Sequence, residues 1–463
     1  MIHPKKMIFY SLKNLDKIPQ VQMLSKEERF NIEVVSNVLP FRVNNYVVEE
    51  LINWENIPDD PIYQLTFMQK EMLTENQFKL MADALITNGS PEKIKSVANE
   101  IRMELNPHPA GQMTLNVPKM DEEPIAGIQH KYKKTVLIFP SSGQTCHSYC
   151  TFCFRWAQFV GMTDLKFATE ESGRFQDYLR DQKEVSDVLL TGGDPMVMSA
   201  AKLAAYIDPL LEPEFDHIKN IRIGTKSVAY WPYKFVTDKD ADDTLRLFEK
   251  VVNSGKHLSV MGHYNHWKEL QTEIAQEAVK RIRSTGAQIR TQSPLVKHVN
   301  DDPEVWSRMW RMQIKLGCIP YYFFIERNTG AEKYFSIPLN RALDIFTEAY
   351  RSVSGLSRTV RGPSMSAMPG KVAIVGIAEI MGEKVFVLTM LQARNPQWTK
   401  TPFFAKFSET ATWLNELEPA FGEERFFYQN ELDQLVQAKE GQMFFKSDAG
   451  TKVLEDAAIN IDE

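Results

Sequence analysis

From residue 135 onward, short apolar stretches alternate with longer segments in which apolar residues recur every three to four positions. The first pattern is typical of buried β-strands, and the second is typical of amphipathic helices that cover a sheet. Consecutive units of this kind predict a parallel sheet with crossover helices that curls into a partial (β/α)6 barrel. The six predicted strands are 135–139, 185–190, 221–225, 257–262, 287–292 and 318–324.

The regions on either side of these units follow other patterns. Residues 1–105 contain several amphipathic segments and predict a helical N-terminal region. Residues 106–392 contain the barrel, and two apolar runs around Met381, Gly382 and Glu383 predict a β-hairpin after the sixth unit. Residues 393–463 mix aromatic residues with acidic helix formers and predict a C-terminal extension. We therefore expect an α/β fold with one large domain and an extension at each end.

Composition narrows the class of partner. A net charge of −6 without a basic stripe argues against nucleic acid as the main partner. The polar N-terminus and the short apolar runs predict neither a signal peptide nor a membrane span, so we expect a cytoplasmic protein. Four cysteines in 463 residues are too few for a disulfide framework. These observations favour a small-molecule substrate and thiols that are free to bind a metal.

Three of the four cysteines follow the first predicted strand as C-x3-C-x2-C: Cys146, Cys150 and Cys153. Thiolates are soft ligands that suit iron–sulfur clusters or zinc, and this spacing lets one loop surround one metal centre. Three ligands leave one iron of a four-iron cluster open to a substrate or cofactor. Zinc with His147 as the fourth ligand is the alternative. Cys318 lies inside the sixth strand and is predicted to be a core residue.

The cysteine motif, with an aromatic residue just before its third cysteine, resembles that of the radical S-adenosylmethionine (SAM) superfamily. Five further stretches are similar, in order and spacing, to the lysine 2,3-aminomutase family: 221–232, 262–270, 291–305, 320–339 and 369–375. The resemblance implies a partial barrel of the radical SAM type, a [4Fe-4S] cluster with SAM on its open iron, and pyridoxal 5′-phosphate (PLP). It also implies an aminomutase that moves an α-amino group to the β-carbon, an electron donor such as flavodoxin or ferredoxin, and self-association into a homo-oligomer.

The resemblance also implies roles for individual residues. Lys371 matches the catalytic lysine that holds PLP, and an exposed lysine at the start of a strand is the alternative. Arg155 matches the arginine that binds the substrate α-carboxylate, a task that suits a guanidinium group. The implied cofactor contacts are Gly192, Gly193, Asp194, His263 and Gln292 for SAM, and Lys131, Tyr132 and Lys134 for the PLP phosphate.

Two positions depart from the lysine-specific pattern. Arg327 and Ser364 stand where lysine-specific members have aspartates that hold the distal ammonium group of lysine. A guanidinium reverses the charge offered to the far end of the substrate, so we expect a non-cationic amino acid, with glutamate as the first choice. Arg327 could instead pair with Glu326 or face solvent.

The PLP region departs as well. Lysines replace the arginines of the family near the phosphate, and the loop before Lys371 is SMSAMPG rather than a run of glycines. One alternative is therefore a PLP-independent radical SAM enzyme, such as an epimerase or a protein-modifying enzyme, in which Lys371 is structural. The other alternative is a metal-stabilised binding protein with zinc at the cysteines.

Overall fold

The N-terminal region of the structure, a computed structural model, is built mainly from helices. The model describes residues 2–87, 89–121, 123–162, 165–169 and 172–444, so residues 445–463 of the predicted C-terminal extension lie outside the described residues. Strands β1 (Phe9–Tyr10) and β2 (Val43–Asn44) pair antiparallel. The helices are α1 (Lys26–Val38), α2 (Pro61–Thr66), α3 (Glu75–Ile86) and α4 (Pro91–Glu104).

Side-chain caps fix the start of several of these helices. Ser25 accepts a hydrogen bond from the backbone N–H of Glu28, and the Glu28 carboxylate accepts one from the backbone N–H of Ser25, which closes a capping box at α1. Thr74 and Gln77 form the same arrangement at α3. These caps explain why α1 and α3 begin where they do.

Eleven strands form one sheet at the centre of the molecule. After the short pair β3 (Lys119–Met120) and β4 (Glu123–Pro124), the chain enters this sheet at its edge strand β5 (Ile128–Tyr132). The next six strands run parallel in sequence order. They are β6 (Thr135–Ile138), β7 (Asp187–Leu190), β8 (Asn220–Thr225), β9 (His257–His263), β10 (Gln288–Leu295) and β11 (Ile319–Ile325). The predicted parallel sheet is therefore confirmed.

Amphipathic helices connect and cover these strands. In α8, for example, Leu245, Phe248 and Val251 are buried on one face, while Asp243 and Arg246 are exposed on the other. Burying each such apolar side chain stabilises the fold by roughly 1.5–3 kcal/mol. The helices are α5 (Ser172–Asp181), α6 (Ala200–Ile207), α7 (Ser227–Tyr230), α8 (Ala241–Asn253), α9 (Glu273–Ser284), α10 (Pro303–Lys315), α11 (Glu332–Phe335) and α12 (Leu339–Arg351).

The sheet continues beyond the six predicted units. Strand β12 (Arg361–Ser366) pairs parallel with β11, and the antiparallel strands β13 (Gly370–Ile380), β14 (Glu383–Ala393) and β15 (Pro402–Lys406) follow. Within the described chain, β5 and β15 do not pair with each other, so the sheet forms an open, partial barrel. The last helix is α13 (Gln429–Phe444), and none of the described helices has the length and apolar composition needed to cross a membrane.

The β13–β14 hairpin agrees with the sequence pattern. Ile380 pairs with Glu383 across a two-residue turn in which Met381 and Gly382 both have positive φ, 53° and 80°. Such a turn matches the right-handed twist of the flanking strands. The start of β13 pairs with β12, which places Lys371 opposite Ser366, next to the parallel strands.

Candidate active site

A cavity of about 240 Å³ lies inside the barrel. Its wall is formed by residues two apart on successive strands, such as Arg222 and Gly224 of β8 or Tyr322 and Phe324 of β11. Because side chains alternate between the two faces of a strand, this spacing identifies the inner face of the sheet. The cavity is closed at one end by the segment after Cys150 and at the other by β13 and β14.

The three cysteines lie together in the loop that follows β6. All three are free thiols. Burial raises the pKa of Cys150 to about 11 and that of Cys153 to about 12. Binding a metal would therefore have to displace the thiol protons. In the part of the chain that the structure describes, no three His, Cys, Asp or Glu side chains form a site for a single metal ion.

The N-terminal region holds the cysteine loop in place. The backbone N–H of Tyr149 donates to the carbonyl of Arg42 over 2.8 Å. Asn44 donates from its side-chain amide to the carbonyl of His147 over 3.0 Å, and its backbone N–H donates to Ser148 Oγ over 3.1 Å. The helical N-terminal region thus packs against the loop that carries the thiols.

The predicted glycine pair lies against the cysteine loop. A Cβ on Gly193 would come within 2.5 Å of the backbone N and O of Thr145, and one on Gly192 within 2.1 Å of the Gln144 amide nitrogen. The backbone contact requires glycine at position 193, whereas at position 192 the Gln144 side chain could move and it is the φ of 141° that favours glycine. The pair therefore has a packing role in the structure, and neither residue lines the cavity.

Asp194 connects the loops after β7 and β8. Its carboxylate accepts hydrogen bonds from the hydroxyl of Thr225 and from the backbone N–H and hydroxyl of Ser227, at 2.7–3.0 Å. Ser227 in turn contacts Nδ1 of His147 at 2.8 Å. Asp194 does not line the cavity, so a direct contact with SAM stays a prediction.

His263, the last residue of β9, and Gln292, within β10, both line the cavity. The Nε2 atom of His263 is buried and has no hydrogen-bond partner among the described residues. Burial lowers the pKa of His263 well below its usual value, which keeps the imidazole neutral. A buried polar atom without a partner is costly, so this nitrogen fits a site that a ligand completes.

Arg155 and Arg327 both line the cavity, and neither side chain forms a hydrogen bond or ion pair within the described chain. Each guanidinium instead lies over an aromatic ring, Arg155 at 4.2 Å from Phe139 and Arg327 at 4.3 Å from Phe154. Burial, followed by the charge of Arg327, lowers the pKa of Arg155 to about 9. These two buried cations lack an anion.

Lys371 directs its amine into the cavity. Its Nζ lies 4.6 Å from the ring of Tyr322 and 5.6 Å from that of Tyr132, and 3.2 Å from the amide oxygen of Gln392. Burial, with a further contribution from neighbouring arginines, lowers the pKa of Lys371 to about 7. The amine is thus partly neutral near pH 7, as a nucleophile requires, and it is not directed to solvent.

Comparison with known proteins assigns the family. No family model matches the chain. An Aquifex aeolicus protein named "Putative L-lysine 2,3-aminomutase" is 32% identical over 366 residues, which cover 79% of this chain and 85% of that protein. The chain belongs to the lysine 2,3-aminomutase family. The L-lysine 2,3-aminomutase of Clostridium subterminale is 26% identical (58% of this chain, 61% of the relative). The glutamate 2,3-aminomutase of Clostridioides difficile is 24% identical (58% and 59%).

Membership of the lysine 2,3-aminomutase family makes the protein a radical SAM isomerase, and the family cofactors are a [4Fe-4S] cluster, SAM and PLP. The donor groups in this chain fit these cofactors. Three thiols on one loop suit an iron–sulfur cluster, the unpartnered His263 nitrogen suits a bound ligand, and an amine with a lowered pKa among aromatic rings suits an aldehyde cofactor.

Two predicted contacts of this family site need correction. Lys134 is exposed in the turn between β5 and β6 and does not line the cavity, whereas the next residue, Thr135, does. Ser364 is fully buried and its hydroxyl donates to the carbonyl of Phe323, so Ser366, two residues further on, faces the cavity instead.

Lys131 and Tyr132 do line the cavity of this aminomutase family member, but the Lys131 amine also donates to the carbonyl of Ala367, in the loop before Lys371. Sequence reasoning missed several other lining residues, although strand alternation carried a signal for most of them. These are Gln129, Thr135, Arg222, Tyr322, Glu326, Ser366 and Gln392.

Proposed function

We propose that the protein is a PLP-dependent amino acid 2,3-aminomutase whose substrate carries a negative distal group, with glutamate as the first candidate. Cys146, Cys150 and Cys153 would hold the cluster, and Lys371 would hold PLP. When bound, these cofactors supply the radical that removes a β-hydrogen and the carrier for the migrating amino group. A donor of the flavodoxin or ferredoxin class would provide the electron.

The observation that carries the substrate proposal is the unpaired Arg327. Five lysine and arginine side chains line the cavity, and they are Lys131, Arg155, Arg222, Arg327 and Lys371. One of them, Arg222, is neutralised by Asp187 at 2.6 Å. The remaining excess of positive charge is stabilised best by a ligand with several anionic groups. A phosphate and two carboxylates, one at each end of the substrate, meet that requirement.

This chain's residues would position such a substrate in a fixed direction. Arg155 lies beside the cysteine loop and suits the α-carboxylate, and Arg327 suits the distal carboxylate. Both guanidinium groups are restrained by aromatic rings, so little side-chain entropy is lost when an anion binds. The apolar part of the wall, including Leu137 and Phe152, would exclude water from the reacting carbon atoms.

Glu326 favours a second candidate, lysine. It also lines the cavity, it is 6% exposed, and an ionised carboxylate there would attract an ammonium group. Burial, however, raises the pKa of Glu326 well above its usual value, and Arg327 is its neighbour. A neutral carboxyl group beside a guanidinium offers an ammonium little stabilisation, which is why we place glutamate first.

A substrate screen on matched variants separates the two candidates. Anaerobically reconstituted, reduced enzyme is incubated with glutamate, aspartate, alanine or lysine, and β-amino acids are measured. We expect conversion of glutamate, a rise of about 30-fold or more in its KM in Arg327→Gln since losing a buried charge partner costs about 2 kcal/mol or more, and little change in Glu326→Gln. Conversion of lysine alone, abolished in Glu326→Gln, would overturn the proposal.

A further inference from the structure

Cys150 differs from the other two cysteines in having a polar side chain beside its sulfur. The Sγ of Cys150 lies 3.8 Å from the hydroxyl oxygen of Tyr230, within the range of a hydrogen bond to sulfur. Tyr230 is the last residue of α7, the short helix that follows β8, and it is 1% exposed. Its hydroxyl has no other hydrogen-bond partner within the described ranges. The Tyr230 hydroxyl is therefore committed to this one cysteine.

Contacts to its ring and to its backbone hold Tyr230 in place. Lys226 Nζ lies 4.4 Å from the ring centroid, and this amine is fixed by Glu269 at 2.7 Å and Asn265 at 2.8 Å. The backbone carbonyl of Tyr230 accepts a hydrogen bond from the side-chain amide of Asn44 over 2.8 Å. Glu269 is fully buried, so the supporting ion pair is shielded from solvent. The hydroxyl is thus positioned by the fold before any cluster binds.

The direction of this hydrogen bond follows from the chemistry of the cysteine. A thiol can donate to the tyrosine oxygen, but an iron-bound thiolate has no proton, so the tyrosine must donate to the sulfur. A tyrosine hydroxyl, with an ordinary pKa of about 10, carries its proton at neutral pH and can donate it. Hydrogen bonds to cluster sulfurs stabilise the additional negative charge of the reduced state, and they are one of the main determinants of cluster potential.

We propose that Tyr230 donates a hydrogen bond to the iron-bound thiolate of Cys150 and thereby raises the reduction potential of the [4Fe-4S] cluster. Tyr230 is a positioning residue that acts through its cysteine. The inference rests on the proposed function only in requiring a cluster on the three cysteines. It does not depend on PLP or on the identity of the amino acid.

Tyr230→Phe tests the inference, and Tyr264→Phe is its matched control. Tyr264 is fully buried, and its hydroxyl has no hydrogen-bond partner in the described part of the chain, so its removal deletes the same atom without breaking a contact. The wild-type protein and both variants are reconstituted anaerobically, assayed for iron, and titrated by potentiometry with EPR detection. We expect a more negative midpoint potential in Tyr230→Phe and the wild-type potential in Tyr264→Phe.

A third protein covers the case in which Tyr230→Phe assembles poorly. Incorporation of 3-fluorotyrosine at position 230 keeps the ring and the hydroxyl but makes the hydroxyl a stronger donor, so the midpoint potential should become less negative. Shifts of opposite sign in the two variants support the inference. An unchanged potential at full iron content, or equal shifts in Tyr230→Phe and Tyr264→Phe, would overturn it. Failure of the wild-type protein to take up iron would overturn the proposed function as well.

Discussion

The surroundings of the cysteine loop and the barrel cavity differ in how completely their polar groups are paired. Around the cysteine loop, Asp194, Ser227 and His147 form a chain of hydrogen bonds, and Asn44 fixes the loop backbone. In the cavity, Arg327 forms no ion pair within the described residues. A paired network stabilises a geometry before any ligand arrives. An unpaired buried cation favours a ligand with a negative charge.

The charges in the cavity also affect the pKa of its lysine. Besides burial, the charges of Arg222 and Arg327 lower the pKa of Lys371. Anions that bind beside these arginines would reduce the repulsion and raise the pKa of the lysine again. Without bound anions the Lys371 amine is therefore more often neutral, which is the form that attaches PLP, and with bound anions it is more often charged. The polar groups around the cysteine loop are already paired with one another, so we expect no comparable change there.

The largest effect is expected in the cavity, at Lys371. Lys371→Ala should abolish covalent PLP binding, measured as visible absorbance of the protein after gel filtration, while Lys134→Ala should bind PLP normally. Because the neutral amine is the reactive form and the Lys371 pKa is about 7, the rate of PLP attachment to wild-type protein should rise between about pH 6 and 8 and then level off. Retention of covalent PLP in Lys371→Ala would show that Lys371 is structural.

The sequence predicted the parts of this comparison that depend on local or periodic patterns. The C-x3-C-x2-C motif is local, and the six strands show a clear apolar pattern. The remainder depended on register and tertiary contact. One residue separates the exposed Lys134 from Thr135 in the cavity, and a one-residue shift changes the face of a strand. Glu326 and Arg327 both reach the cavity because they follow the end of β11, where alternation stops.

An intermediate effect is expected at the glycine pair. In Gly193→Ala the new Cβ would lie 2.5 Å from the backbone of Thr145, so the cysteine loop must move away from β7. Overpacking of this kind typically costs about 1–3 kcal/mol. We expect a reduced iron content after reconstitution and a lower free energy of unfolding. Gly376→Ala is the control, since no atom lies within 4 Å of its added Cβ. Equal iron content in both variants would show that the loop tolerates displacement.

The smallest effect is expected at Arg42, whose side chain makes one of the several contacts that hold the cysteine loop. Arg42→Ala removes the hydrogen bond to Thr145 Oγ1, 2.6 Å long, and the contact of the guanidinium with the ring of Phe9 at 3.8 Å, but leaves the backbone bond from Tyr149 to residue 42 intact. Together these losses cost about 1–2 kcal/mol, which chemical denaturation of the apoprotein can measure. The exposed Arg246→Ala should stay within about 0.5 kcal/mol of wild type. Because other contacts to the cysteine loop remain, the iron content of Arg42→Ala should equal that of the wild type. Loss of the cluster in this variant would show that the position of the cysteine loop depends on a single side chain.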